Sequence, residues 1–247
     1  MSGPGFPAGS EDAQKGFPCE RFLALRYTHF LMKYLIVLIC ALVPAGWSQS
    51  TPQTMIRLAV RLKSPDVPQG SFAGEPKTMY RSGSRYCRID EVPDMENHIH
   101  GLIIINEPDV WMINRMDKTG RHIVDQGPTF NCHLQVFADP EDLTSPEAKA
   151  LGELEFGQEL DYFRGKNATV SKGPVLDEKQ TQVYTVTLAK GQLFLFTSGT
   201  PERPVALARQ HGDKRDVYWY GLYEEVPFDP KLFSKPADIK LEEAKPN

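Results

Sequence analysis

Residues Leu102–Gly120 read LIIINEPDVWMINRMDKTG. Two apolar runs, LIII and VWMI, flank the turn signal Asn106-Glu107-Pro108-Asp109, and this predicts a β-hairpin. A hairpin with one wet face alternates apolar and polar residues. Here every position of both runs is apolar, so both faces of the hairpin must be kept from water. The same habit returns in LFLF at 193–196 and VYWYGLY at 217–223. Three covers are open: the sheet curling over its own concave side, a bound apolar ligand, or a partner protein. Plain core is the bland alternative, because interiors close-pack without voids.

Working outward, Met55–Lys63 alternates strictly, with Ile56, Leu58, Val60 and Leu62 against Arg57, Ala59, Arg61 and Lys63. That is a half-buried strand. Lys77–Ser82 and Arg85–Ile89 straddle a Ser-Gly-Ser turn and read as a hairpin. With the two opening runs and Arg121–Asp125, about six strands arrive in meander order. The pattern then changes. Ser145-Pro146-Glu147 is a helix start, with a capping serine, a proline in the first turn and an acid facing the dipole. Ala148, Leu151 and Leu154 follow at helical spacing, Gly157 breaks the segment, and Leu160–Phe163 forms a further turn. Strands resume at Thr181–Leu188, Gln192–Thr197, Val205–Arg209 and Asp216–Glu224. Phe228–Phe233 reads as a short helical turn and the final LEEAKPN as a frayed tail.

Antiparallel meanders on both sides of a helical segment define an α+β class. The expected architecture is a strongly curved antiparallel sheet of about ten strands, an unclosed barrel, with a short helical insertion plugging the concave side.

The N-terminus is read separately. Tyr34–Ala45 is a twelve-residue apolar run, preceded by Met32-Lys33 and followed by GWSQS. An h-region of roughly 7–15 residues between a positive start and small residues is a secretory signal. A membrane anchor wants about 20 apolar residues, and Pro44 and Gly46 end this run early. The expected organisation is an upstream extension at 1–31, a signal peptide at 32–48 and one domain at 49–247. Export makes the protein periplasmic or secreted. Of four cysteines, Cys87 and Cys132 then remain as candidates for a disulfide, with two buried free thiols as the alternative.

The composition is 40% hydrophobic and 24% charged, which is ordinary for a globular chain. A formal net charge of -4 excludes a global basic footprint, so no nucleic-acid partner is expected. There is no G-x-S-x-G elbow, no P-loop and no G-x-G-x-x-G after a strand. Cys132 and His133 are sequence neighbours, and on a strand they would point to opposite faces. His98 and His100 share a face, but zinc spacings are absent, so no metal and no cofactor are expected. The domain reads as non-enzymatic.

Three segments carry a family resemblance: Met79-Tyr80-Arg81-Ser82-Gly83-Ser84-Arg85-Tyr86-Cys87-Arg88-Ile89, the hairpin Leu102–Asp117, and Val217-Tyr-Trp-Tyr with Glu224-Glu225-Val226-Pro227-Phe228-Asp229-Pro230-Lys231-Leu232-Phe233. In order and character they resemble the periplasmic lipoprotein-carrier superfamily with the LolA/LolB-like fold. The resemblance implies an apolar concavity able to hold acyl chains. By position, Leu58, Val60, Met79, Ile103, Trp111, Ile113, Phe194 and Trp219 are its expected lining. The implied partner is a lipid or an acylated protein. The rival readings are a cell-envelope module that binds a protein partner without a ligand cavity, and a metal or redox module.

Overall fold

The alternation that begins at Met55 becomes the central strand of the molecule. In this computed structural model, which describes residues 51–68, 70–125, 134–137 and 145–243, β1 (Thr54–Lys63) pairs antiparallel with strands on both sides. On one side lie β2 (Lys77–Ser82), β3 (Tyr86–Asp90), β4 (Gly101–Asn106), β5 (Asp109–Asn114) and β6 (Thr119–Val124). On the other lies β11 (Lys214–Pro227), followed outward by β10 (Arg203–His211), β9 (Gly191–Ser198), β8 (Lys179–Thr187) and β7 (Thr169–Leu176). A last strand, β12 (Lys240–Glu243), adds parallel to β6. The result is one twelve-stranded sheet among the described residues, antiparallel except at this edge. Its two end strands, β12 and β7, are not neighbours in the strand order. Among the described residues, two seven-residue helices, α1 (Pro146–Gly152) and α2 (Glu159–Gly165), lie between β6 and β7.

Two strands were not legible in the sequence. β7 is exposed along most of its length and carries Gly173-Pro174 at a register shift, so it shows no apolar period. It is held by backbone pairing and by Thr181, whose hydroxyl donates to the Pro174 carbonyl at 2.6 Å. A Cβ on residue 173 would lie 2.4 Å from that hydroxyl oxygen, so only glycine permits the approach. β12 falls in the tail expected to be frayed, yet the register pairs Leu241 with Gly120.

The hairpin expected at Leu102–Gly120 forms between β4 and β5, with Ile104 opposite Trp111 and Leu102 opposite Ile113. Its second face is covered by the chain itself. Leu102, Ile104, Trp111 and Ile113 form a buried cluster with Met55, Phe233 and Ile239. The C-terminal segment crosses the strands there. A short 3-10 turn, Pro230–Phe233, is capped by Asp229, whose side chain accepts from the Lys231 amide. Phe228 and Phe233 stack at 5.3 Å and both meet the Tyr86 ring. Asn106 and Arg88 donate to the carbonyls of Phe233 and Leu232, which fixes the segment on the sheet. Neither a guest nor a partner is needed on that face. On the hairpin's other side, Cys87, Ile105 and Val110 pack with Ile103, Ile123 and Leu134.

The expected extension and signal peptide, Cys132 and His133 lie outside the described residues. Cys87 is a buried free thiol, and burial pushes it up to about 12.

Because Phe233 is fully buried as the keystone of the C-terminal cover, Phe233→Ala is expected to cost about 3 kcal/mol or more in urea unfolding. Val170→Ala on the exposed edge strand should change stability by no more than about 0.5 kcal/mol.

Candidate functional site

The other broad apolar face belongs to the centre of the sheet. Leu58 and Val60 from β1, Met79 from β2, Leu193 and Leu195 from β9 and Leu207 from β10 are buried there in one cluster. Two short helices alone would be marginal in water, so their order depends on packing against this face. They and the link between them supply Leu151, Leu154, Phe156 and Phe163, each 5% exposed or less. The start of α1 is as expected: the Ser145 hydroxyl accepts from the Ala148 amide at 3.0 Å, and Pro146 occupies the first turn. The Tyr162 hydroxyl donates to the Ala150 carbonyl, tying α2 to α1.

Three buried carboxylates fasten this helical insertion to the sheet, and sequence reasoning missed two of them entirely. Glu147, read as a helix-dipole acid, is instead 5% exposed and accepts from the Lys190 amide at 2.9 Å and from Arg209 at 3.5 Å. Glu155 pairs with Arg81 at 2.5 Å. Arg81 is itself 3% exposed and also donates to the Phe156 and Gly83 carbonyls. Glu159 is fully buried and accepts from the Gly157 amide at 2.9 Å, the Tyr220 hydroxyl at 2.7 Å and the Tyr223 hydroxyl at 3.4 Å. Gly157 has φ +81°, and a Cβ there would press on Arg81 at 3.1 Å, so the break between the helices is sterically glycine's.

A β-bulge aims the two tyrosines together. Ala59 opposes Leu222, but Val60 opposes Tyr220, leaving Gly221 extra. Tyr220 and Tyr223 therefore face the same side although three residues apart. Burial drives both hydroxyls well above the ordinary phenol value, and the neighbouring Glu159 charge adds to the effect. Burial likewise raises the Glu159 carboxyl, against the opposing pull of the Gly157, Tyr220 and Tyr223 donors.

The eight expected lining residues do not meet in one place. Leu58, Val60 and Met79 lie under the helical insertion. Ile103 packs beside Cys87, and Trp111 and Ile113 sit beneath the C-terminal segment. Phe194 and Trp219 are on the sheet face opposite Leu195 and Tyr218, as the register requires. LFLF gives no polar marker for which alternate residues turn inward, so the missed signal was parity: Leu193 and Leu195 were the inner pair. The open cleft of about 560 Å³ has a mixed lining, with Ser198, Thr200 and Arg203 beside Leu176, Val205 and Leu222, and contains none of the eight.

Among the described residues no group of three or more His, Cys, Asp or Glu could hold a metal ion. His98 pairs with Asp117 at 3.1 Å, and His122 pairs with Asp109 at 2.7 Å while stacking on Trp111.

No protein-family model matches the chain, and no curated protein does. Solved structures do match. An uncharacterized conserved protein from Thermus thermophilus shares 9% identity over 78% of this chain and 91% of its own, at a TM-score of 0.45. A LolA superfamily protein from Nitrosomonas europaea shares 11% over 75% and 91%, at 0.33. A chain of the Pseudomonas aeruginosa MucA/MucB complex shares 8% over 76% and 58%, at 0.39. The chain thus has structural matches in the LolA superfamily and in the MucA/MucB complex, all at low identity.

A carboxyl whose folded-state pKa is raised binds more protons folded than unfolded, so stability falls as pH climbs above the ordinary value of 4.5 toward the raised one. Glu159→Gln keeps an acceptor for Gly157 and removes the titration. The variant is expected to lose this part of the downward slope when urea midpoints are compared with wild type across that window; parallel slopes would contradict the assignment.

Proposed function

We propose that the domain is an exported, non-catalytic binding protein that stores an apolar sheet face beneath its own helical insertion and offers it to an acyl chain when the insertion lifts. One observation carries this reading: the described cover of that face is two short helices with the segment 134–137 bonded to the link between them, fastened to the sheet by Glu147, Glu155 and Glu159. The curvature of the sheet around the insertion belongs to the same reading, as does export, which rests on the apolar run Tyr34–Ala45. A chain entering the space vacated by Phe156 and Phe163 would gain about 0.8 kcal/mol per buried methylene and needs no polar recognition. Leu58, Val60 and Met79 remain its lining; Ile103, Trp111, Ile113, Phe194 and Trp219 are on surfaces with other neighbours.

A second reading is a protein partner. Among the described residues β7 ends the sheet with an open edge and two exposed valines, Val170 and Val175, a template on which another strand can add. Pro174 and the register shift blunt that edge, which favours the acyl reading.

Closure of the insertion competes with the ligand, so loosening it should raise apparent affinity. Ser145→Ala removes the α1 cap at a cost of about 1 kcal/mol. It is expected to strengthen saturable binding of a fluorescent fatty acid by about fivefold. Absence of saturable binding in both proteins, or an affinity untouched by the substitution, would sink the proposal.

A further inference from the structure

The face of the sheet opposite the helical insertion has a chemistry of its own. Following the register across the strands, one row runs Arg61, Trp219, Ala206, Phe196 and Val183. The next runs Lys63, Val217, Ala208, Phe194 and Thr185. Residues paired in register share a face, so three aromatic rings lie on one surface, with a cation at the head of each row. Ala206 and Ala208 are 1% and 2% exposed between these larger neighbours, whereas Phe194, Phe196 and Trp219 stay half-buried. The Lys63 ammonium sits 5.6 Å from the Trp219 ring centre, and the Arg215 guanidinium 5.9 Å from that of Phe194. Arg57 and Lys214 at the margins are paired with Glu224 and Asp66. Arg61, Lys63 and Arg215 have no carboxylate partner among the described residues.

We propose that this surface, spanning β1, β11, β10 and β9, docks the protein on an anionic phospholipid membrane. The occupant follows from charge complementarity in a chain whose net charge is -4: local cations crown half-buried aromatics, against the sign of the whole molecule. Aromatic rings with adjacent Lys and Arg are the side chains that settle at the headgroup level of a bilayer. Each cation near an anionic leaflet strengthens binding by about fivefold. A single-stranded nucleic acid is disfavoured, since base stacking needs open ring faces, and here Lys63 and Arg215 lie over the Trp219 and Phe194 rings. None of these residues touches the acyl site proposed above, so the two proposals stand or fall separately.

The test is flotation of the full chain with phosphatidylcholine vesicles prepared with and without phosphatidylglycerol. Every variant contains the same apolar run Tyr34–Ala45, so the readout is the ratio between variants. Wild type is expected to favour the anionic vesicles, and added salt should erode the preference. Lys63→Glu combined with Arg215→Glu should lower partition onto anionic vesicles by at least about tenfold. Lys172→Glu, on the exposed strand β7 away from this surface, should leave it unchanged. Trp219→Ala, which preserves the charges, should also weaken binding, with thermal melts confirming that each variant folds. Equal partition onto both vesicle types, a charge-reversed variant that binds like wild type, an unaffected Trp219→Ala, or binding of a single-stranded oligonucleotide in place of vesicles would overturn the proposal.

Discussion

A carboxylate with no water to solvate it organises the centre of this protein. Glu159 is fully buried, and it is tolerable there because the Gly157 amide and the Tyr220 and Tyr223 hydroxyls all donate to it. Each donor requires something of the fold. Gly157 needs a left-handed backbone between the two helices. The tyrosines need a bulge in β11 to face the same way. The helix carrying Glu159 needs Phe163 driven into the sheet. With Arg81–Glu155 and Arg209–Glu147, this arrangement fixes where seven-residue helices lie that could not hold themselves. Breaking a buried pair from one side leaves an uncompensated charge, which is why such ties act as position-setting devices more than as sources of stability.

The two faces of the sheet are closed by different parts of the chain. The helical insertion covers the middle on one side, and the C-terminal segment covers β3 to β5 on the other. The covers differ in kind. The C-terminal one is stacked rings and a parallel edge strand, apolar with a few carbonyl contacts. The insertion adds buried ionisable groups to its apolar contacts, whereas the ion pair of the C-terminal segment, Asp238 with Lys118, is exposed. Among the described residues, neither of these two clusters includes the aromatic and basic surface of β1, β11, β10 and β9.

Much of this was legible in the chain. Strict alternation located β1, the Glu107-Pro108 turn located the β4–β5 hairpin, and Ser145-Pro146 located α1, because each rests on local rules of side-chain period and backbone geometry. The all-apolar hairpin correctly announced a buried second face, but the cover came from the far C-terminal end of the chain, which no local pattern encodes. The expected lining failed where both parities are greasy: Phe194 and Leu195 are equivalent to a periodicity reading, and only the register separates them. Gly221 did the same in β11, since one bulged residue reverses inside and outside. Glu155 and Glu159 carry no local mark of burial, because their partners lie on β2 and β11.

The central claim is that the helical insertion is a separable cover on an otherwise self-sufficient sheet. Native-state hydrogen exchange, read by mass spectrometry over 146–165 and over β1 and β11, tests it most directly. The account predicts that the amides of the insertion exchange together through an opening lower in free energy than global unfolding, while β1 and β11 stay protected. Exchange of the insertion only in step with those central strands would contradict it.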